Sequence, residues 1–205
     1  RLYMVNCDGA SNISANDVRG MNYGYGIYAS NCDAQALNPA LYYNNMVHVG
    51  DTNSTSTSYG FYFTGSSNQL ITNNSVNLES NGTTSRAFYV TGGTNNKMFN
   101  NIFSNMGPGY AMYLNNGVTE SDNNNFYAPN GTKFYFTQPI ADLNTWQTTT
   151  GFDAASDTLN PVFTSMEDLH TCQDQFIDGG ATVYSWLTTD FDGQTRDTVT
   201  PDIGA

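Results

Sequence analysis

Arg19 and His48 are the residues of this 205-residue chain whose types and spacing come nearest to acid–base chemistry. Folded on the repeat described below, they fall at one position of neighbouring units, about 4.8 Å apart, with Asp17 beside them. A guanidinium next to an imidazole lowers the imidazole pKa and favours the neutral form a base needs. Two surface residues in a polar column are the plainer reading, since neither a cluster of acidic ligands nor a second Lys or Arg accompanies the pair. Asp190-x-Asp192-Gly193 has the alternating oxygen ligands and sharp-turn Gly that open a calcium loop, but it lacks the third Asp and the terminal Glu. Calcium is the one cofactor the sequence suggests, and the same string also serves to anchor a loop, with Arg196 free to pair with Asp192 or Asp202. Asp8 and Asp33 align in a turn as the closest approach to paired carboxylates. His170 reads as structural, and no Gly-x-Ser-x-Gly string provides a serine nucleophile.

A fixed repeat must position all of these residues. Tyr lies between mostly apolar neighbours at Tyr3, Tyr28, Tyr62, Tyr89 and Tyr113. Downstream of each comes an Asn followed two residues later by an apolar residue: Asn16, Asn45, Asn74, Asn101 and Asn124, spaced 29, 29, 27 and 23 apart. A weaker apolar position precedes each Asn, at Ile13, Tyr42, Ile71, Met98 and Ser121. Three short strands per unit and a period in the twenties describe a parallel β-solenoid. The recurring Asn is then expected to stack inside the bore, its amide bonding to backbone and to the Asn above and below. Asn6-Cys7, Asn31-Cys32, Gly65-Ser66, Gly92-Gly93 and Asn116-Gly117 mark one repeated turn, because Asn and Gly tolerate positive φ. Cys7 and Cys32 thereby stack on adjacent coils at a separation that a disulfide tolerates, leaving Cys172 over.

Alternation along a strand turns the five Tyr outward while their neighbours face in, forming an aromatic strip roughly 20 Å long. Each Tyr offers a flat apolar face and a hydroxyl, which suits sugar rings. Neighbour contacts that stabilise the sheet are the plainer explanation.

Composition agrees with this architecture. The chain holds 19 Gly and 14 Tyr, and only 12% of its residues are charged, so a helical bundle or coiled coil is excluded. A net charge of −12 would repel the phosphate backbone of nucleic acid and an anionic membrane surface. No apolar run is long enough to span a bilayer. Arg1-Leu2-Tyr3-Met4 is neither an initiator Met nor a signal peptide, and the first coil opens without a cap, so further coils of the same polypeptide are expected upstream.

Strings such as Asn68-Gln69-Leu70-Ile71-Thr72-Asn73-Asn74-Ser75-Val76 and Gly24-Tyr25-Gly26-Ile27-Tyr28 resemble the repeats of right-handed parallel β-helix proteins, the pectate-lyase-like superfamily, over residues 1 to 127. Residues 128 to 205 resemble the C-terminal cap of secreted bacterial β-helix proteins in Asn160-Pro161-Val162-Phe163, Asp168-Leu169-His170, Ile177-Asp178-Gly179-Gly180, Asp190-Phe191-Asp192-Gly193-Gln194-Thr195-Arg196 and Pro201-Asp202-Ile203-Gly204-Ala205. The resemblance implies secretion or display on a bacterial surface. In lyases of this kind the outer face of one sheet carries Asp-bound calcium and a basic residue that abstracts a proton.

The expected fold is therefore all-β: a right-handed parallel β-helix of about five coils over 1–127, closed by an irregular capping segment over 128–205. A short helix over Ala141–Thr149, with Leu143 and Trp146 plugging the bore, should be ended by Gly151. Asn130-Gly131 should be a hairpin turn leading out of the last coil. The expected function is a non-catalytic carbohydrate-binding, adhesin-like or structural module, with a polysaccharide lyase or glycoside hydrolase as the alternative.

Overall fold

The computed structural model describes residues 1–20, 22–172 and 182–205; Ile177-Asp178-Gly179-Gly180 lies outside them. The chain is an all-β parallel solenoid of five complete turns with one short helix near its C-terminal end. Leu2–Val5, Gly24–Ser30, Ser58–Thr64, Arg86–Thr91, Tyr110–Leu114 and Thr132–Phe136 stack in parallel as the first sheet. Asn12–Ser14, Ala40–Tyr43, Gln69–Thr72, Asn96–Phe99 and Val118–Asp122 form the second sheet. Asp17–Val18, Met46–Val49, Ser75–Leu78, Ile102–Asn105 and Asn125–Tyr127 form the third.

The register matches the repeat. Tyr3 pairs with Tyr28, Tyr28 with Tyr62, Tyr62 with Tyr89 and Tyr89 with Tyr113. Inward residues fill the bore: Ile27, Phe61, Phe88, Val76, Phe103, Ile71 and Met98 are fully buried.

The inner Asn column is continuous. Each Asn side-chain carbonyl accepts two bonds from the Asn of the preceding coil, one from its backbone N–H and one from its amide. Asn45 donates in this way to Asn74 at 3.1 and 2.8 Å, and Asn74 to Asn101 at 3.1 and 2.9 Å. The second amide hydrogen goes to backbone carbonyls at the bend, shared in Asn74 between Tyr42 and Thr72. A polar residue thus recurs in an apolar bore because the sharp bend between the second and third sheets frees backbone groups that need a partner.

The residue before each inner Asn holds a left-handed backbone: Ala15, Asn44, Asn73, Asn100 and Asn123 have φ between 51° and 59°. In four coils it is Asn, which adopts that conformation more readily than other non-glycine residues. Ala15 carries the strain without relief, so Ala15→Gly should raise stability by about 1 kcal/mol in a urea denaturation series.

Two expectations at the C-terminal end are corrected. Asn130-Gly131 is not a hairpin turn. Thr132–Phe136 instead continues the first sheet in parallel, pairing Tyr135 with Tyr113, and the hairpin forms one strand later at Thr137, whose φ is 59°, returning through Gln138–Ile140. The inward Phe134 finds a place on Phe126 in the bore, 5.2 Å between ring centroids, which a strand turned away at Asn130 would forfeit.

The helix spans Leu143–Thr150, two residues later than expected at its start, because Asp142 caps it by accepting from the Thr145 N–H at 2.9 Å. Gly151 ends it in the left-handed conformation. Trp146 is fully buried and stacks on Phe134 at 4.9 Å and 15°. The helix is therefore the plug that closes the bore.

The rest of the C-terminal segment lies along the side of the solenoid. The outer Asn column holds it: Asn123 and Asn100 bond to Thr182, Asn73 to the Asp202 carbonyl and Asn44 to the Thr189 carbonyl. Arg196, half-buried, donates to Asn44 and to the carbonyls of Asp202 and Gly204; of its two expected partners it thus meets Asp202 through the backbone, while Asp192 lies on His170.

Candidate functional site

The C-terminal segment decides which faces of the solenoid stay open. Over the third sheet, Asn125 exchanges two bonds with the Leu159 backbone, Asn77 donates to the Met166 carbonyl at 3.1 Å, and Ser75 accepts from the Ala205 N–H at 3.0 Å. Over the second sheet, Trp186 packs against Tyr43 and Tyr184 against Phe99. The tyrosines of the first sheet share no hydrogen bond or ring contact with residues 141–205 among the described residues.

The third sheet carries the acid–base candidates. Arg19 lies beyond the two-residue strand Asp17–Val18, half exposed, in an ion pair with Asp17 and 4.0 Å from Glu167. His48 faces outward in register with Asn77, but it is 7% exposed and its Nε2 lies 3.6 Å from Glu79. The two bases thus engage different carboxylates, and neither imidazole nitrogen of His48 has a hydrogen-bond partner. Asp8 and Asp33 stack in an exposed turn, where the Asp8 carboxylate accepts from the Asp33 N–H at 3.4 Å.

Asp190 and Asp192 belong to a tight turn in which the Asp190 carboxylate accepts from the Gln194 N–H at 2.8 Å. Asp192 accepts from His170 Nε2 at 2.7 Å, while His170 Nδ1 meets Asp168. No group of three or more His, Cys, Asp or Glu side chains is arranged for a metal ion among the described residues. Cys7 and Cys32 stack as free thiols, the Cys7 N–H directed at the Cys32 sulfur at 3.4 Å.

The hydrogen bond that His170 donates to Asp168, opposed by partial burial and aided by Asp192, raises the His170 pKa above its ordinary 6.5. Asp168 is lowered from 3.8, chiefly by the same hydrogen bond. A raised histidine contributes its full stabilisation below 6.5 and loses it as pH rises through the higher folded value. At the acid end the Asp168 contribution, present above 3.8, disappears as pH falls through its lowered value. Protease nicking near Ser165–His170 should therefore increase from about pH 6 to about pH 9, and His170→Gln should flatten that dependence.

The first sheet carries the tyrosines. The expected strip of five becomes six with Tyr135, and successive ring centroids from Tyr3 to Tyr135 lie 5.1, 5.2, 4.6, 5.4 and 3.9 Å apart. A second outward column runs beside it, made of Tyr25, Tyr59, Arg86 and Tyr110. Its rings stand at 62° to 88° to neighbours in the first column, as for Tyr59 on Tyr89, Tyr25 on Tyr28, Tyr59 on Tyr62 and Tyr110 on Tyr113. Arg86 takes the Tyr place in one coil, with its guanidinium 5.4, 5.0 and 4.1 Å from the ring centres of Tyr59, Tyr89 and Tyr113 and bonded to the Tyr59 hydroxyl at 2.8 Å.

Strict alternation misses this second column, which precedes the first by three residues and not two. The two residues between them both face inward: Gly26-Ile27, Gly60-Phe61, Ala87-Phe88 and Ala111-Met112. The first of each pair is small because the coils crowd there; a Cβ on Gly60 would lie 2.3 Å from Val76 Cγ1 and 2.5 Å from the Ala87 carbonyl oxygen. The signal was present in the recurrence of Tyr25-Gly26-Ile27-Tyr28 as Tyr59-Gly60-Phe61-Tyr62.

Burial, together with Tyr89, Tyr25, Tyr59 and Tyr28, pushes the Tyr62 phenol to about 12, so its hydroxyl stays protonated through the neutral range. No family model, curated protein or solved structure matches the chain. The structure shows a parallel β-solenoid, and no match assigns it to the pectate-lyase-like superfamily.

Proposed function

We propose that this chain is a non-catalytic module of a secreted or bacterial surface β-helix protein that binds polysaccharide along the tyrosine face of its first sheet. The observation that carries the reading is that face itself: six tyrosines in register, flanked by a second aromatic column, on the sheet the C-terminal segment leaves open. The two columns hold their rings at steep angles to one another, so the face carries both apolar ring carbon and phenol hydroxyls. Sugars need both, because their ring faces are apolar and their edges carry hydroxyls. Each aromatic pair contributes about 0.5–1.5 kcal/mol to the fold, so the rings are also held in place before a ligand arrives.

The covered third sheet supports the non-catalytic reading over a lyase or glycoside hydrolase. His48 lies buried beside Glu79 where a substrate chain would have to displace residues 159–167. The test is affinity electrophoresis through gels containing soluble polysaccharides, comparing wild type with Tyr62→Ala/Tyr89→Ala. Retardation of the wild type, reduced at least about tenfold in affinity in a variant whose circular dichroism is unchanged, is expected. A wild type that migrates freely in every gel, or a folded variant retarded equally, makes the ladder purely structural.

A further inference from the structure

The geometry of the tyrosine face narrows the ligand class. Resting on the reading above, we infer that the ligand is a neutral polysaccharide in an extended β-1,4-linked conformation, lying along the solenoid axis with one sugar ring per coil. Parallel register places Tyr3, Tyr28, Tyr62, Tyr89, Tyr113 and Tyr135 in a single file, and the centroid steps of 5.1, 5.2, 4.6 and 5.4 Å along its first five members are the advance of one coil. A chain that repeats its contacts on such a file must advance by one pyranose unit per step without leaving the line. Extended β-1,4-linked chains do so, since each ring is joined end to end across its length. An α-1,4-linked glucan such as amylose coils and leaves the file after a few residues.

The charge of the protein disfavours a polyanion on this face. Its outward positions carry tyrosines, with Ser30, Thr64, Thr91 and Asn115 on the far side of the first column, and no carboxylate stands among them. Its central cation, Arg86, is already held over three tyrosine rings and bonded to the Tyr59 hydroxyl. The net charge of −12 opposes approach of an anionic chain from every side. What remains on offer is a row of hydroxyls and ring edges, matched by uncharged sugars.

The experiment has two arms. In the first, the protein is mixed with insoluble cellulose, chitin, amylose or calcium-gelled polygalacturonate, and the unbound fraction is measured. Depletion by cellulose or chitin, with at least about tenfold weaker depletion by amylose and polygalacturonate, is the expected result. Equal depletion by amylose overturns the extended-chain class, and preferential depletion by polygalacturonate overturns its neutrality; either leaves polysaccharide binding itself intact. Depletion by none of the four, together with free migration in the gels above, overturns the underlying reading as well. In the second arm, affinity for β-1,4-linked oligosaccharides is measured by calorimetry from the disaccharide to the hexasaccharide. Affinity that climbs with each added ring, and climbs no further beyond the trisaccharide in Tyr89→Ala/Tyr113→Ala, supports one ring per coil. A plateau at the disaccharide in wild type overturns the axial arrangement.

Discussion

Trp146→Ala should destabilise the protein by about 4–5 kcal/mol, measured by chemical denaturation, the largest effect expected of any single truncation in the C-terminal segment. Trp146 closes the bore, stacked on Phe134 and fully buried, so its removal exposes the ring below and leaves a void. It also donates its indole N–H to Asp153 at 2.7 Å. That carboxylate is buried and terminates the inner Asn column, accepting from Asn124 at 3.2 Å and from Ser121 and Ser156 at 2.8 Å each. Burial pushes the Asp153 pKa up against the pull of these donors. Losing the indole removes one of them from a charge that cannot reach water. Trp146→Phe separates the two contributions: it keeps the stack, loses the hydrogen bond, and should cost about 1–3 kcal/mol. Equal stability of Trp146→Ala and wild type would show that the helix does not close the bore.

Asn74→Ala should cost on the order of 4 kcal/mol, because the one side chain serves five partners. Its amide donates to the carbonyls of Tyr42 and Thr72 and to Asn101, and its oxygen accepts from the backbone and amide of Asn45. All are buried, so none regains a partner from water when the amide is removed. Asn74→Asp tests the direction of the column: the carboxylate still accepts from Asn45 but cannot donate onward, and a cost close to that of Ala is expected. Asn81, exposed outside the strands with its amide on the Thr52 carbonyl alone, is the control; Asn81→Ala should change the denaturation midpoint little. If the Asn74 and Asn81 variants melted together, the inner column would contribute nothing to the bend it spans.

The coil was legible in the residues because a parallel stack enforces identity of role at each position. Tyr28 and Tyr62, Asn45 and Asn74, and Ile71 and Met98 pair as their spacing implies, since a one-residue slip would turn every inward side chain outward. The bore plug was legible too, from Leu143 and Trp146 before Gly151. The second tyrosine column was not, because alternation was assumed where Gly26, Gly60, Ala87 and Ala111 let two successive residues face inward. Nor was the sixth strand, Thr132–Phe136, since Asn-Gly between aromatic runs signals a hairpin when local chemistry alone is weighed. Stacking of Tyr135 on Tyr113 and of Phe134 on Phe126 outweighs that local preference.

The amino-acid sequence on its own determined the architecture of this protein, its inner Asn column and the outward tyrosines, because each follows from a period repeated down the chain and reinforced at every coil. Which face stays open was settled by the folded molecule. The outer Asn column and Arg196 draw residues 182–205 back along the second sheet, and Asn77 and Asn125 hold residues 159–166 over the third. These contacts join residues as far as 152 positions apart and follow no period. They place His48 beside Glu79 under cover and leave the tyrosines in solvent, a choice that depends on where the non-repeating segment finds partners for its backbone.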